Sequence, residues 1–416
     1  MRKSSLYLLA SVLVTLLLGV LLFNSIQLSD FDSSLNVNKP AQKELVFAHW
    51  ETMPDEIFEL FNKEYPDITV NFQHYNDAAY SDIMRQKMTM GEKLDVIGIK
   101  AGDYREYIAQ NWLLDVSSEA FTKKYLPEIT TAMAQAGDGR QYAVSYKAEY
   151  YGIWYNKILF DKYHISVPKN YTELLQVCHV LKNNDIDPIV LGARDKDVAA
   201  YLYYIRAFDM MDTPHWRDTI YVNQNGEPAL SLFQDTQLLI QQGYISPDSA
   251  SLTYQQAFDY FKNAKAAMLL APDASFNMAK DDFEKVCDPG VFAIPYADSA
   301  QRIVVPVNYF SMLIGINSQS ENVEAAKLFL GFLSRPEIAK IYCEQTISLP
   351  TVSGTDIGLK YKDLWMPLRK QAQQITPLAL LTPEQEESLD AAAKQFAAGL
   401  TDAAYMAEVF NSTFSH

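Results

Sequence analysis

From Leu45 to Ile99 the chain repeats one pattern, in which short apolar runs alternate with amphipathic stretches. Leu45-Val46-Phe47-Ala48 is a bounded apolar run, the signature of a buried strand. A helix is expected next. Thr52 is a cap candidate, Pro54 suits a first turn, Asp55 and Glu56 complement the helix dipole, and Ile57, Leu60 and Phe61 supply an apolar face before Pro66 stops it. Ile68, Val70 and Phe72 alternate with polar Thr69 and Asn71 as a second strand. A second helix is expected from about Ala79 to Met90, ending near Gly91, and Asp95-Val96-Ile97-Gly98-Ile99 reads as a third strand. Strand, helix, strand, helix, strand specifies an α/β lobe with a largely parallel sheet.

One such lobe does not account for 416 residues, which exceed what a single compact core organises, so two lobes are expected. The composition, 49% apolar and 21% charged, is that of an ordinary globular chain. In the last third, Ser320 and Asn322 are cap candidates for a helix whose Ala326, Phe329, Leu330 and Leu333 recur at helical spacing, and residues 360–416 read as mainly helical. The formal net charge of −16, with no basic run to offset it, argues against nucleic acid as a partner. Cys178, Cys287 and Cys343 form neither a disulfide framework nor a zinc-ligand spacing, and the six histidines show no paired spacing on a helix face. No metal and no cofactor are therefore expected. The chain lacks a nucleophile elbow, a phosphate-binding loop, a dinucleotide fingerprint and a zinc-protease motif. Carboxylates are plentiful, but nothing in the sequence sets two of them opposite each other for hydrolysis, so no enzyme is expected.

The N-terminus has its own character. Arg2 and Lys3 precede an apolar run from Leu6 to Phe23 that nearly spans a bilayer, and the charge bias leaves the N-terminus inside and the rest outside. Residues 1–28 are read as a transmembrane anchor or a signal segment, and residues 29–43 as a polar tether. The folded part then sits on the outer face of the plasma membrane.

A second unusual stretch is YAVSYKAEYYGIWYNKILF at 142–160, with Tyr142, Tyr146, Tyr150, Tyr151, Tyr155, Trp154 and Phe160 surrounding Lys147 and Glu149. An ordinary buried strand would draw on Val, Ile and Leu. Rings with polar tips suit a place that packs on one side and meets a polar ligand on the other.

Several stretches, taken in order, resemble the extracellular solute-binding proteins of ABC importers, in the family 1 group of maltose-binding-protein-like sugar-binding proteins. They are HWETMPDEIFELFNKEYPDITVNF, YSDIMRQKMTMGEKLDVIGI, YAVSYKAEYYGIWYNKILFDKYHI, VPKNYTELLQVCHVLKNNDIDPIVLG, AKAAMLLAPDASF, VFAIPY and IGINSQSENVEAAKLFLGFLSRPEIAK, together spanning about 44–352. The resemblance implies an α/β, two-lobe, periplasmic-binding-protein-like (type II) fold with three inter-lobe crossings, near Ser145–Tyr151, Val291–Tyr296 and Thr346–Val352. Lobe one is then 44–146 with 295–346, and lobe two 147–294 with 347–416. Ligand sits in the cleft, and the lobes close on it by hinge motion.

The carboxyl ends of sheet strands bear ligand in such folds. That places Trp50 and Glu51 after the first strand, and Lys100 to Asp103 after the third, at the cleft. Trp50 is either a packing residue or a sugar platform; Asp103 either accepts two ligand hydroxyls or caps the following helix. On the first crossing the candidates are Tyr146, Glu149 and Tyr150, with Lys147 a possible partner for Glu149. Asp273 and Phe276 lie after the later strand, where the family commonly carries a stacking Trp, and Asn308 with Tyr309 stand where a Gly-Gly is frequent. The function implied is capture of a mono- or oligosaccharide by a monomer that delivers it to ABC permease subunits. The alternative is a ligand-binding sensor docking onto a membrane receptor or kinase. The 26 tyrosines favour a sugar, since flat rings cover the apolar faces of pyranoses.

Overall fold

A computed structural model describes residues 43–195, 227–273, 275, 283–295, 304–359, 362–371, 373–375 and 381–414. The expected anchor at 1–28, the tether up to residue 42 and Phe276 lie outside the described residues. Among the described residues no helix is long and apolar enough to cross a membrane.

The N-terminal alternation folds as its pattern requires. β1 (Lys43–His49), α1 (Asp55–Glu64), β2 (Ile68–His74), α2 (Tyr80–Met90) and β3 (Val96–Ile99) follow one another, with β1 parallel to both β2 and β3. Ile57 and Phe61 are buried on α1, and Gly91 ends α2 in the left-handed region at φ +66°, where glycine carries no side-chain penalty. Thr52 does not cap α1: Pro54 occupies the N-cap position and no side chain bonds the first turn. Ser320 and Asn322 likewise work differently from a simple cap. Both donate to Asp95 Oδ1, whose Oδ2 accepts the Val46 N–H at 2.8 Å, so a buried carboxylate ties β1 to the segment before the C-terminal helices.

α3 (Tyr104–Ala109) and α4 (Pro127–Ala136) lead into the long strand β4 (Ala143–Asn156). The chain continues through α5 (Lys157–Lys162), α6 (Tyr171–Lys182), β5 (Asp187–Val190), α7 (Glu227–Gln241), α8 (Tyr254–Lys262), β6 (Ala266–Pro272), α9 (Phe283–Val286) and β7 (Pro289–Phe292). The second long strand, β8 (Val304–Ile316), is followed by α10 (Val323–Leu333), α11 (Pro336–Thr346), α12 (Lys362–Gln371), β9 (Gln373–Ile375), α13 (Pro383–Ala397) and α14 (Ala403–Phe414). The C-terminal region is mainly helical, as expected, with one short strand added.

The strand path runs β2-β1-β3-β8-β4-β6-β5. β8 is antiparallel to β3 and to the first half of β4, Ala143–Tyr150. The second half of β4, Tyr151–Asn156, pairs instead with β6 and β7, and β5 lies parallel to β6. Between Ser145 and Glu149 the β4–β8 register slips twice. Irregularities of this kind bend a strand and increase its twist, which lets β4 leave one sheet and enter another without breaking. A third connection comes alongside: Leu349 bridges Ala148, and Val352 bridges Tyr125. Arg369 of α12 donates to the Pro350 carbonyl at 3.1 Å and lies 5.3 Å from the Tyr150 ring centroid.

Two apolar clusters form the core. One gathers Phe47, Ile57, Phe61, Val96, Leu313, Ile314, Phe329 and Leu330 around β1, β3 and β8. The other gathers Ile153, Leu174, Leu181, Ile189, Leu270, Leu389, Phe396 and Phe410 around β5, β6 and the C-terminal helices. The fold is thus the two-lobe α/β arrangement that the sequence implied.

The close approach of His49 to β3 depends on Gly98. A Cβ there would sit 2.2 Å from His49 Cδ2, inside any permissible contact. Gly98→Ala is expected to cost about 2 kcal/mol by overpacking, read as a lower midpoint in urea unfolding. An unchanged midpoint would show that the imidazole moves aside freely.

Candidate functional site

β1 ends in a buried histidine. His49 Nδ1 accepts the Glu51 N–H at 2.8 Å, and burial pulls the imidazole pKa down to about 3, so the ring is neutral with its proton on Nε2. This bond turns the chain at Glu51. Trp50 stacks on His49 with ring centroids 4.1 Å apart and 16° between planes, and meets the Tyr80 ring at 5.0 Å. The His74 ring holds the Trp50 carbonyl at 2.9 Å. The indole is thereby fixed on several sides yet only half-buried. Lys100, after β3, is 5.7 Å from its centroid and pairs with Asp77 at 2.8 Å.

Next to this ring lies a charged cluster. Lys147 Nζ is 3.4 Å from Glu51 Oε1 and 3.1 Å from Glu149 Oε1, while the Tyr342 hydroxyl donates to Glu51 Oε2 at 3.0 Å. Burial lowers the Lys147 pKa, but Glu149 and Glu51 outweigh it and the net shift is upward, so the ammonium stays charged. The three side chains keep 15% (Lys147), 21% (Glu149) and 26% (Glu51) of their surface, enough to meet a ligand. Asp273, one residue beyond β6, accepts the Tyr150 N–H at 2.9 Å, at the point where β4 changes partners. Tyr254, the first residue of α8, is close enough to Asp273 and Glu149 to feel both charges, and its hydroxyl has no hydrogen-bond partner among the described residues. The Thr253–Gln256 capping box sets the start of α8, and Gly192 lets it pack close, since a Cβ there would lie 2.5 Å from Tyr254 Cα.

The structure therefore brings together Trp50, Glu51, Lys100, Glu149 and Asp273 of the expected site. Others go elsewhere. Asp103 is 1% exposed, accepts from Ser81 Oγ at 2.5 Å and Arg85 Nη2 at 2.6 Å, and neither caps α3 nor presents a free oxygen to a ligand. Tyr146 is a core side chain packed on Tyr342 with centroids 4.8 Å apart. The Tyr150 and Tyr309 rings are buried edge to face, and only the Tyr150 backbone reaches the cluster. Asn308 pairs opposite Glu149, but its side chain accepts the Phe310 N–H in a local turn. Lys147 and Glu149 are two apart and share one face of β4, whereas Tyr146, Ala148 and Tyr150 occupy the other. That alternation was available in the sequence and separates Glu149 from both tyrosines. Tyr254 and Tyr342 carry no local signal for the site. Among the described residues no group of three or more His, Cys, Asp or Glu could hold a metal ion.

Burial pushes the Asp273 carboxyl up to about 7; the Tyr150 N–H opposes this and Glu149 adds to it. The folded state then holds this proton more tightly than the unfolded chain. The stabilising contribution is full below about pH 4 and is lost as pH rises through about 7. Asp273→Asn keeps an acceptor for the Tyr150 N–H, so its stability relative to wild type should improve steadily over that window. Urea midpoints measured across pH check this, and a difference independent of pH would contradict it.

A profile of the bacterial extracellular solute-binding proteins matches residues 50–340, well over half of the chain. An uncharacterised ABC transporter extracellular-binding protein of Pyrococcus horikoshii is 26% identical over 370 residues, covering 83% of this chain and 80% of its own. The multiple sugar-binding protein of Streptococcus mutans is 21% identical over 317 residues, covering 73% of this chain and 71% of its own. Apo RafE of Streptococcus pneumoniae superposes with a TM-score of 0.76 at 17% identity, covering 91% of this chain and 98% of its own, and a structure of RafE with raffinose is also similar, at 0.71. The two-lobe fold and the profile match agree: the chain belongs to the bacterial extracellular solute-binding protein family.

Proposed function

We propose that this protein captures a mono- or oligosaccharide in the cleft bounded by Trp50, Glu51, Glu149 and Tyr254, and delivers it to ABC permease subunits without turning it over. The observation that carries this reading is the half-buried Trp50 indole, clamped by His49 and Tyr80 beside the Glu51–Lys147–Glu149 cluster. A rigid aromatic face next to carboxylates suits a pyranose, whose apolar face covers the ring while its hydroxyls donate to charged oxygens. The site draws on β1, on the crossing strand β4, and on the ends of β6 and α8, so a ligand there contacts both lobes. Contacts made only when the lobes are closed are what shift such an equilibrium. The multiple sugar-binding protein among the relatives and the raffinose complex of RafE support a glycan. The apolar segment from Leu6 to Phe23 supports a protein held at the outer face of the plasma membrane.

A panel of mono- and oligosaccharides, screened by thermal shift and followed by fluorescence titration, tests the reading. At least one should raise the melting temperature in a saturable way, and Trp50→Ala should weaken that ligand about tenfold or more. A panel with no stabilising saccharide would overturn it.

A further inference from the structure

His49 and Trp50 are consecutive, yet their rings are stacked, with centroids 4.1 Å apart and 16° between planes. Consecutive residues of a strand point to opposite faces, so such a pair can stack only where the strand has ended. β1 stays paired with β2 as far as His49 opposite His74. The turn comes next. His49 Nδ1 accepts the Glu51 N–H at 2.8 Å, a side chain bonding the backbone two residues on, as an Asn or Asp does in closing an Asx turn. The bond that ends the strand is thus the one that folds Trp50 back over the imidazole.

Core packing alone does not account for an imidazole here. His49 is fully buried, and burial pulls its pKa down to about 3, a desolvation that an apolar ring would not suffer. What imidazole supplies and phenyl does not is the Nδ1 acceptor. The surroundings hold the ring in place. Gly98 leaves room for it on β3, and the Phe47 ring meets it edge-on at 5.9 Å. The Tyr80 hydroxyl lies 3.0 Å from the Ala48 carbonyl and 2.9 Å from the Gly98 carbonyl, tying the ends of β1 and β3 together, while its ring closes on Trp50 at 5.0 Å.

We propose that His49 is the positioning residue of the ligand platform: its Nδ1 bond to the Glu51 N–H ends β1 and turns Trp50 onto the imidazole, so that a buried side chain which meets no ligand sets both the orientation of the indole and the place of Glu51. Its effect on affinity rests on the carbohydrate reading above, in which Trp50 and Glu51 meet the ligand, and the experiment separates the two.

Near-UV circular dichroism of the ligand-free protein reads the stack, with the difference from Trp50→Ala isolating this indole among the five tryptophans. Fluorescence titration uses the panel saccharide that most raises the wild-type melting temperature. His49→Asn keeps an acceptor at the same place along the side chain and loses the ring. Its Trp50 band should vanish, and affinity should fall about tenfold. His49→Phe keeps a ring and loses the acceptor. With the turn released its band should vanish too, and affinity should fall about a hundredfold, because Glu51 is displaced as well. A band that persists in His49→Phe would show the stack forming without the bond, and one that persists in His49→Asn would show the indole held without the stack. Either result overturns the assignment, as does saccharide binding by His49→Phe no weaker than by His49→Asn. Lowered urea midpoints with band and affinity intact would leave His49 a packing role only, and so overturn it also. Failure of every saccharide, with both bands lost as expected, would overturn the carbohydrate reading while the positioning of Trp50 by His49 stands.

Discussion

Strand β4 hydrogen-bonds to β8 along Ala143–Tyr150 and to β6 and β7 along Tyr151–Asn156, so a single run of backbone is shared by two sheets. A regular ladder cannot do this, because neighbours on both sides would have to continue in step. Two register slips between Ser145 and Glu149 open the ladder to β8, and the Asp273 carboxylate takes the Tyr150 N–H beyond the last β6 pair. A polar side chain thus replaces a backbone partner where the sheet changes. The Glu51–Lys147–Glu149 cluster and the change of sheet partners share one location because both lie at this break.

The same break explains why charged residues stand where a strand would otherwise be apolar. Moving an ion pair out of water is expensive, and its mutual attraction returns that cost only with good geometry and further hydrogen bonds. Lys147 has two carboxylates, and Glu51 has the Tyr342 hydroxyl as well. Each charge in the cluster therefore has a protein partner and a portion of surface open to the cleft. The Tyr254 hydroxyl, like those of core Tyr146, Tyr150 and Tyr309, has no hydrogen-bond partner among the described residues.

Much of the lobe built on β1, β2 and β3 was legible because its periods are local. Apolar runs, a proline stop and Gly91 past the end of α2 act within a few residues, and the structure places those elements within one or two residues of the reading. The positions of Trp50 and Glu51 after β1, and of Lys100 after β3, were legible for a different reason, since strand ends in an α/β sheet can be read from the apolar runs. The tyrosines were misread because the cluster was weighed as composition and not by its period of two. Odd positions Lys147 and Glu149 keep exposed surface, while even positions Tyr146 and Tyr150 enter the core. Asp103 illustrates a limit of another kind. Its partners Ser81 and Arg85 come from α2, and only the packing of that helix against the loop after β3 consumes both oxygens. Tyr254 is more than a hundred residues from Glu149, and their meeting is a property of the fold alone.

The position of the cluster has a consequence for how lobe motion couples to ligand. Glu51 follows β1, Asp273 follows β6, and Lys147 with Glu149 sits on the strand between them. Rotation about the slipped segment of β4 changes the distances from the shared ammonium to charges on either side. In an open, wet cleft those distances matter little, because water screens them. On closure they matter more, because the water that screens them leaves. On the carbohydrate reading proposed above, such a cluster would tie closure to occupancy, as differential stabilisation of the closed state requires.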